Sequence, residues 1–172
     1  MRHAPVATEG LCYGQREVPV RLDDDQASEA IAGQLTALEA PLARVWSSPW
    51  RRARGPAERV AARLGLPLTV DDRVSELAFG AWEGRPYAEL ELEPAFQAWM
   101  ADWEHAAPPG GERLAELCER VGRWRAEVIA RGEVALAITH AGVIRALRAE
   151  GRGVPYAAVL TEAVEPLRVE AV

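Results

Sequence analysis

Apolar residues along this chain fall into two rhythms. Ala43-Arg44-Val45-Trp46-Ser47, Leu66-Pro67-Leu68-Thr69-Val70 and Val134 to Ile138 are short runs of the length and makeup of buried strands. Elsewhere apolar positions recur every three or four residues. Ala27, Ala30, Ile31, Leu35 and Leu38 predict an amphipathic helix to about Glu39, opened by Asp23-Asp24-Asp25, whose carboxylates suit a helix N-terminus. A second helix is predicted from Arg51 to Leu64, closed by Gly65. Pro56 is expected in its first turn or as a late start, because a mid-helix proline loses a hydrogen bond. Tyr87 to Trp103 carries helical spacing through Leu90, Phe96, Trp99 and Met100. Glu112 opens a longer helix to about Arg131, striped by Leu114, Leu117, Cys118, Val121, Trp124 and Val128. Val143 to Glu150 predicts a further helix and Leu167 to Val172 a final strand. The stretches from His3 to Val20 and from Val74 to Gly84 read as loop or extended chain, punctuated by glycine and proline.

Strands alternating with helices imply an α/β fold, a three-layer α/β/α sandwich around a mainly parallel sheet. At 172 residues, without repeat or linker, the expectation is one domain spanning 1–172. The net charge of −6 and the lack of a basic stripe argue against nucleic acid as a partner. No apolar run is long enough for a membrane span and no signal peptide is recognisable, so no membrane partner is expected. Cys12 and Cys118 are too far apart for a CxxC motif, and a reduced, cytoplasmic protein is the default. All 20 Lys+Arg positions are arginine, which excludes Walker-type phosphate loops and lysine Schiff-base chemistry. Anions must then be held by backbone amides or by guanidinium forks, which grip phosphate oxygens two at a time. The three histidines, His3, His105 and His140, have no metal-ligand spacing, so neither a metal nor a cofactor is expected.

Four ordered segments carry candidate chemistry: Arg2-His3, Ser47-Ser48-Pro49-Trp50-Arg51-Arg52-Ala53, Glu76 to Gly84, and Thr139-His140-Ala141-Gly142. His140 falls where a predicted strand runs into a helix, the end of an open α/β sheet that carries ligands. Together the segments resemble the histidine phosphatase superfamily, with its phosphoglycerate mutase-like fold, over essentially the whole chain. Gly10-Leu11-Cys12-Tyr13-Gly14 with Glu17-Val18-Pro19-Val20 is most similar to the alpha-ribazole phosphatase branch. The resemblance implies hydrolysis of small phosphate monoesters through a phosphohistidine, without metal. By the same resemblance His3 is the nucleophile, Arg2 and Arg52 grip the phosphate, His140 is the second phosphate-binding histidine, and Glu76 is the general acid. Tyr13 and Gly14 join Arg2, Arg52 and His140 as substrate-binding positions. The chemistry is coherent, since phosphoryl transfer needs an in-line nucleophile and cations around the equatorial oxygens.

Each position has a rival reading. Arg51 is as basic as its neighbour Arg52, and Glu83 competes with Glu76, although the family register favours Glu76 and leaves Glu83 a structural hydrogen-bonding residue. Arg145 reads as a structural ion pair, His105 as a solvated loop residue, and Trp82, Trp99 and Trp103 as core or lid packing. The cysteines read as inert. Ala4, Pro56 and Arg113 stand where the family commonly has glycine, threonine and serine.

The largest departure is at the start. The resemblance implies an apolar strand before the Arg-His pair, and this sequence starts at the pair itself, so a missing first strand is one expectation. The expectation is unpaired neighbouring strand edges and a catalytic pair hanging from a fraying terminus. Either the start lies upstream, another segment fills the gap, or catalysis is weakened. A catalytically impaired phosphate-binding or protein-interaction module of the same fold is therefore one alternative, and a phosphoglycerate mutase-type phosphotransferase another. The short chain favours a hydrolase over a mutase. The expected partner is a small phosphorylated metabolite, whether alpha-ribazole phosphate, a sugar phosphate or a phosphoglycerate-like acid. Oligomeric state stays open, a homodimer included.

Overall fold

A computed structural model describes residues 1–36 and 41–171; the predicted end of the first helix, at Leu38 and Glu39, lies outside them. Three short strands, β1 (Arg44–Ser47), β2 (Leu68–Val70) and β3 (Ala135–Ile138), form a sheet in the order β2-β1-β3. Both pairings are parallel, with Val45 opposite Leu68 on one side and Leu136 on the other. Six helices are found among the described residues: α1 (Asp24–Leu35), α2 (Arg51–Leu64), α3 (Tyr87–Leu90), α4 (Pro94–Ala101), α5 (Leu114–Arg131) and α6 (Ala141–Arg152).

The two-residue alternation of side chains along a strand sends them to opposite faces, and each face has its own core. Val45, Leu136 and Ile138 pack with Ile31 of α1 and Ala53, Ala57 and Val60 of α2. Trp46, Ala135 and Ala137 pack with Leu117, Val121 and Trp124 of α5 and Val143 and Leu147 of α6. Trp46 and Trp124 meet edge to face, with ring centroids 5.9 Å apart. Burying an aliphatic side chain such as Val45, Ile31 or Leu147 contributes about 1.5–3 kcal/mol. The result is the expected α/β sandwich, with a sheet that is wholly parallel.

Local chemistry explains most element ends. Asp23 caps α1, accepting from the Gln26 amide while the Gln26 side chain returns to the Asp23 amide. Gly65 ends α2 in the left-handed region, at φ 63°. Pro56 departs from expectation: it is the sixth residue of α2. A proline there costs about 3 kcal/mol relative to alanine, and the packing of this face overrides it. Pro56 is buried with Ala53, Gly55 and Ala57, and a Cβ on Gly55 would meet the Asp24 carboxylate at 2.3 Å, so α1 and α2 approach closely only through small residues.

The single helix predicted over Tyr87–Trp103 is two, α3 and α4. Pro94 begins α4, and proline holds the preceding Glu93 in extended backbone (ψ 128°). The expected terminal strand from Leu167 does not form within the described residues. Leu167 has φ 57°, which turns the chain, and the pairing there is one bridge between Arg2 and Pro166.

The N-terminal pair does not fray as expected. The His3 amide donates to Thr139 O (2.9 Å) and the Thr139 amide to Met1 O (3.0 Å), extending the parallel pairing past the end of β3. On the other side the Leu167 amide donates to Arg2 O at 2.9 Å. Arg2 is thus clasped between two segments, and Met1 packs into the α1/α2 core.

Candidate active site

The candidate residues gather at the C-terminal ends of the strands, where a parallel sheet leaves a crevice between the loops that follow it. Ser48 follows β1, and Arg52 lies in the first turn of α2. Thr139 and His140 follow β3 and lead into α6. The chain after β2 passes through a short turn, Asp72–Val74, to Glu76. The Thr139 hydroxyl donates to Val74 O at 2.5 Å, tying that turn to the end of β3.

His3, Arg52 and His140 are all buried, Arg52 only 2 % exposed. Arg52 Nε donates to His3 Nε2 (3.3 Å), and its Nη2 lies 3.3 Å from His140 Nδ1. Guanidinium can only donate, so both contacted imidazole nitrogens carry lone pairs. The tautomers follow. His3 Nδ1–H donates to Ala4 O at 2.7 Å, and His140 Nε2–H donates to Ser48 Oγ at 2.7 Å. Burial first, then the Arg52 charge, pushes the His3 imidazolium down to a pKa of about 3. Burial, then His3 and Arg52, hold His140 well below its ordinary value. Both rings are neutral at neutral pH, 5.1 Å apart between centroids.

Arg52 is fixed as firmly as the histidines, donating to Arg16 O (2.7 Å) and Gly14 O and lying 5.6 Å from the Tyr13 ring centroid. Arg51, its sequence rival, is directed to the surface against Asp24. Arg2 donates to Val164 O at 3.0 Å, while its buried Nε has no partner.

The Glu76 carboxylate accepts from the Leu77 amide (3.0 Å) and the Gly142 amide (3.1 Å) at the start of α6. Its backbone is anchored too: Glu76 O accepts from Gln15 Nε2 (2.9 Å) and Arg120 Nη2 (3.0 Å). Arg120 also pairs with Glu112 at 2.6 Å, both side chains nearly buried. Glu83 has a different task. Its carboxylate accepts from the amides of Gly14, Gln15 and Phe79 at 2.8, 2.8 and 3.0 Å, joining the loop after Tyr13 to the loop after Glu76.

These groups open into a cleft of about 520 Å³. Arg2, His3, Arg52, Glu76 and His140 line it, as does Tyr13. Gly14, read from the sequence as substrate-binding, does not line it; its amide and carbonyl are occupied by Glu83 and Arg52. The other wall is aromatic, with Phe79, Tyr87, Trp99, Trp103 and Tyr156. Trp82 is core, buried against Phe96, whereas Trp99 and Trp103 face the cleft. His105 is exposed and hydrogen-bonded to Asp102. Arg145 makes no ion pair among the described residues, contrary to expectation; its Nη2 donates to the Glu162 backbone carbonyl.

Two contributors escaped the sequence reading. Ser48 is fully buried and accepts from His140 Nε2–H, and its only sequence signal is its place in the strand-to-helix turn beside Pro49. Arg120 lies on α5, forty-four residues from Glu76, and nothing local marks it. Among the described residues no group of three or more His, Cys, Asp or Glu is placed to hold a metal ion, and no helix is long and apolar enough to cross a membrane.

Fold and site together define a class: an α/β protein whose sheet end presents two imidazoles, two guanidinium groups and one carboxylate to a single cleft. The chain belongs to the histidine phosphatase superfamily (branch 1), which matches residues 1–171. It is 29% identical over 155 residues to an adenosylcobalamin/alpha-ribazole phosphatase of Escherichia coli (strain K12), covering 88% of this chain and 75% of that protein. It is 38% identical over 122 residues to a bifunctional protein of Mycobacterium tuberculosis (strain ATCC 25618 / H37Rv), covering 69% of this chain. The match spans only 33% of that protein's length. Among solved structures, the alpha-ribazole phosphatase from Shigella flexneri superposes with a TM-score of 0.83 at 27% identity, over 97% of this chain and 85% of that one.

Proposed function

We propose that residues 1–172 act as one domain, a metal-independent phosphatase that hydrolyses small phosphate monoesters through a phosphohistidine on His3. The observation that carries this reading is the Arg52-to-His3 hydrogen bond, which leaves a lone pair on Nε2 of a neutral imidazole at the cationic end of the cleft. In the first step the Arg52 Nε–H turns from Nε2 to a phosphate oxygen, the freed Nε2 lone pair forms a bond to phosphorus while the bond to the ester oxygen breaks, and protonated Glu76 delivers its proton to the departing alkoxide. The phosphorylated imidazole gains positive charge, which the Nδ1–H···O bond to Ala4 stabilises. Arg2, Arg52 and His140 meet the equatorial oxygens, where charge accumulates. In the second step the Glu76 carboxylate takes a proton from water as it attacks phosphorus, releasing inorganic phosphate and restoring neutral His3.

A phosphorylated metabolite with an aromatic leaving group suits the tryptophan and tyrosine wall. Alpha-ribazole phosphate is one candidate of this kind, supported by the names of the Escherichia coli and Shigella flexneri relatives. A cytoplasmic location is proposed with it, as both cysteines are free. The test is hydrolysis of an aryl phosphate and of alpha-ribazole phosphate with a chelator present. Turnover by the chain and none by His3→Ala supports the reading; undiminished turnover by His3→Ala overturns it.

A further inference from the structure

Arg145 is a cation at the cleft with no carboxylate paired to it among the described residues. It lies on α6, where its neighbours Arg148 and Arg152 pair with Glu162 and Glu170 at 2.5–3.3 Å. Arg145, half-buried between them and the active site, donates to the backbone carbonyl of Glu162 at 3.2 Å and lies within reach of the Tyr156 hydroxyl. Most arginines of the chain are paired with carboxylates; Arg2, Arg52 and Arg145 are the ones that line the cleft and are not. Arg2 and Arg52 are accounted for by the transferred phosphate. Holding a third guanidinium charge partly out of water without a carboxylate costs free energy that a bound anion would offset.

We propose that Arg145 binds a second anionic group, a carboxylate or phosphate, on the leaving portion of the substrate, and so determines specificity. The inference rests on the reading as a phosphatase and favours a substrate other than alpha-ribazole phosphate, whose leaving alcohol carries no second negative charge. Tyr156 and Trp103, whose ring centroids lie 6.1 Å apart, line the cleft with Arg145. The favoured substrate is then a monoester whose leaving alcohol joins an aromatic or apolar body to a second negative charge.

The test compares phenyl phosphate, carboxyphenyl phosphate and phenylene bisphosphate, which share one ring and differ in the second group. The expected result is a kcat/KM about tenfold or more higher for one of the charged esters, and the two charged arms separate carboxylate from phosphate. In Arg145→Met that ratio falls towards one, while Arg145→Lys, which keeps the charge and loses the fork, retains part of it. No preference in the unaltered chain, or the same preference in a folded Arg145→Met, overturns the proposal. Calorimetric binding of phenylphosphonate against carboxyphenylphosphonate and phenylene bisphosphonate separates the two failures. Tighter binding of a charged phosphonate without hydrolysis of any ester sinks the phosphatase reading and keeps the anion site; hydrolysis of all three esters at equal rates does the reverse. Absence of both hydrolysis and charge-dependent binding sinks both.

Discussion

Arg52 Nε donates to His3 Nε2 across 3.3 Å, although forty-nine positions separate the two residues. That contact orients the ring and selects its tautomer, and after burial it is the next cause of the ring's lowered basicity. The same guanidinium reaches the lone pair of His140 and two backbone carbonyls, so Arg52 organises the pocket as well as lining it. Arg52→Ala is expected to abolish turnover and also to destabilise the fold. It leaves the buried Gly14 carbonyl and a second carbonyl, of Arg16, without donors, at about 1–3 kcal/mol each. Chemical denaturation with a phosphate-release assay checks both effects.

Glu76 should matter in proportion to how badly the leaving group needs a proton. Glu76→Gln is expected to slow hydrolysis of an alkyl phosphate by about 10²–10⁴-fold, the usual worth of a general acid. Nitrophenyl phosphate, whose leaving group departs as the anion, should lose far less. Equal losses on both would place Glu76 outside proton transfer.

Gly142 is the second residue of α6, and alanine there should favour the helix. An added Cβ, however, would stand 2.1 Å from Glu76 Oε1. Gly142→Ala is therefore expected to keep or raise the melting temperature while lowering kcat at least about tenfold, because the carboxylate must move and positioning errors of about 1 Å are costly. Melting curves and alkyl phosphate kinetics together check this.

Ser48→Ala removes the acceptor of the His140 Nε2–H bond and that of the Trp50 amide. The expected loss is about 1–2 kcal/mol of stability. Phosphate affinity should also fall, since the His140 ring then lacks the partner that holds its Nε2 edge in place. Calorimetric titration with inorganic phosphate reads that loss directly.

Acid sensitivity follows from the buried histidines. His3 falls from an ordinary 6.5 to about 3 in the folded chain, so on acidification the unfolded state takes up the proton first. Its contribution to stability is full above about 6.5 and declines as pH falls towards 3, by about 1.4 kcal/mol per pH unit. His140 acts in the same direction. His3→Gln should therefore show a shallower fall in denaturation free energy between about pH 6.5 and 5 than the unaltered chain. An unchanged slope would contradict the neutral, buried state of His3.

Much of this was legible in the sequence because the informative signals were local. The α2 boundaries, Arg51 to Leu64 with Gly65 beyond, follow from periodicity and a C-terminal glycine. The strand cores follow from apolar runs, and the candidate residues from short motifs beside them. The failures were of longer range. Pro56 is held within a helix by the close approach of α1 to Gly55. Leu167 turns the chain at φ 57° with its side chain buried in the core, where its local sequence reads as strand. Ser48, Arg120 and the open cation Arg145 acquire meaning only when β1, α5 and α6 converge on the same cleft.

The central claim is a covalent phosphate on His3. Mixing the chain with excess aryl phosphate, quenching within one turnover and mapping peptides by mass should give an acid-labile, base-stable phosphoryl group on the peptide that contains His3. It should be absent from His3→Ala. Turnover with no phosphorylated intermediate, or phosphorylation retained in His3→Ala, would contradict the account.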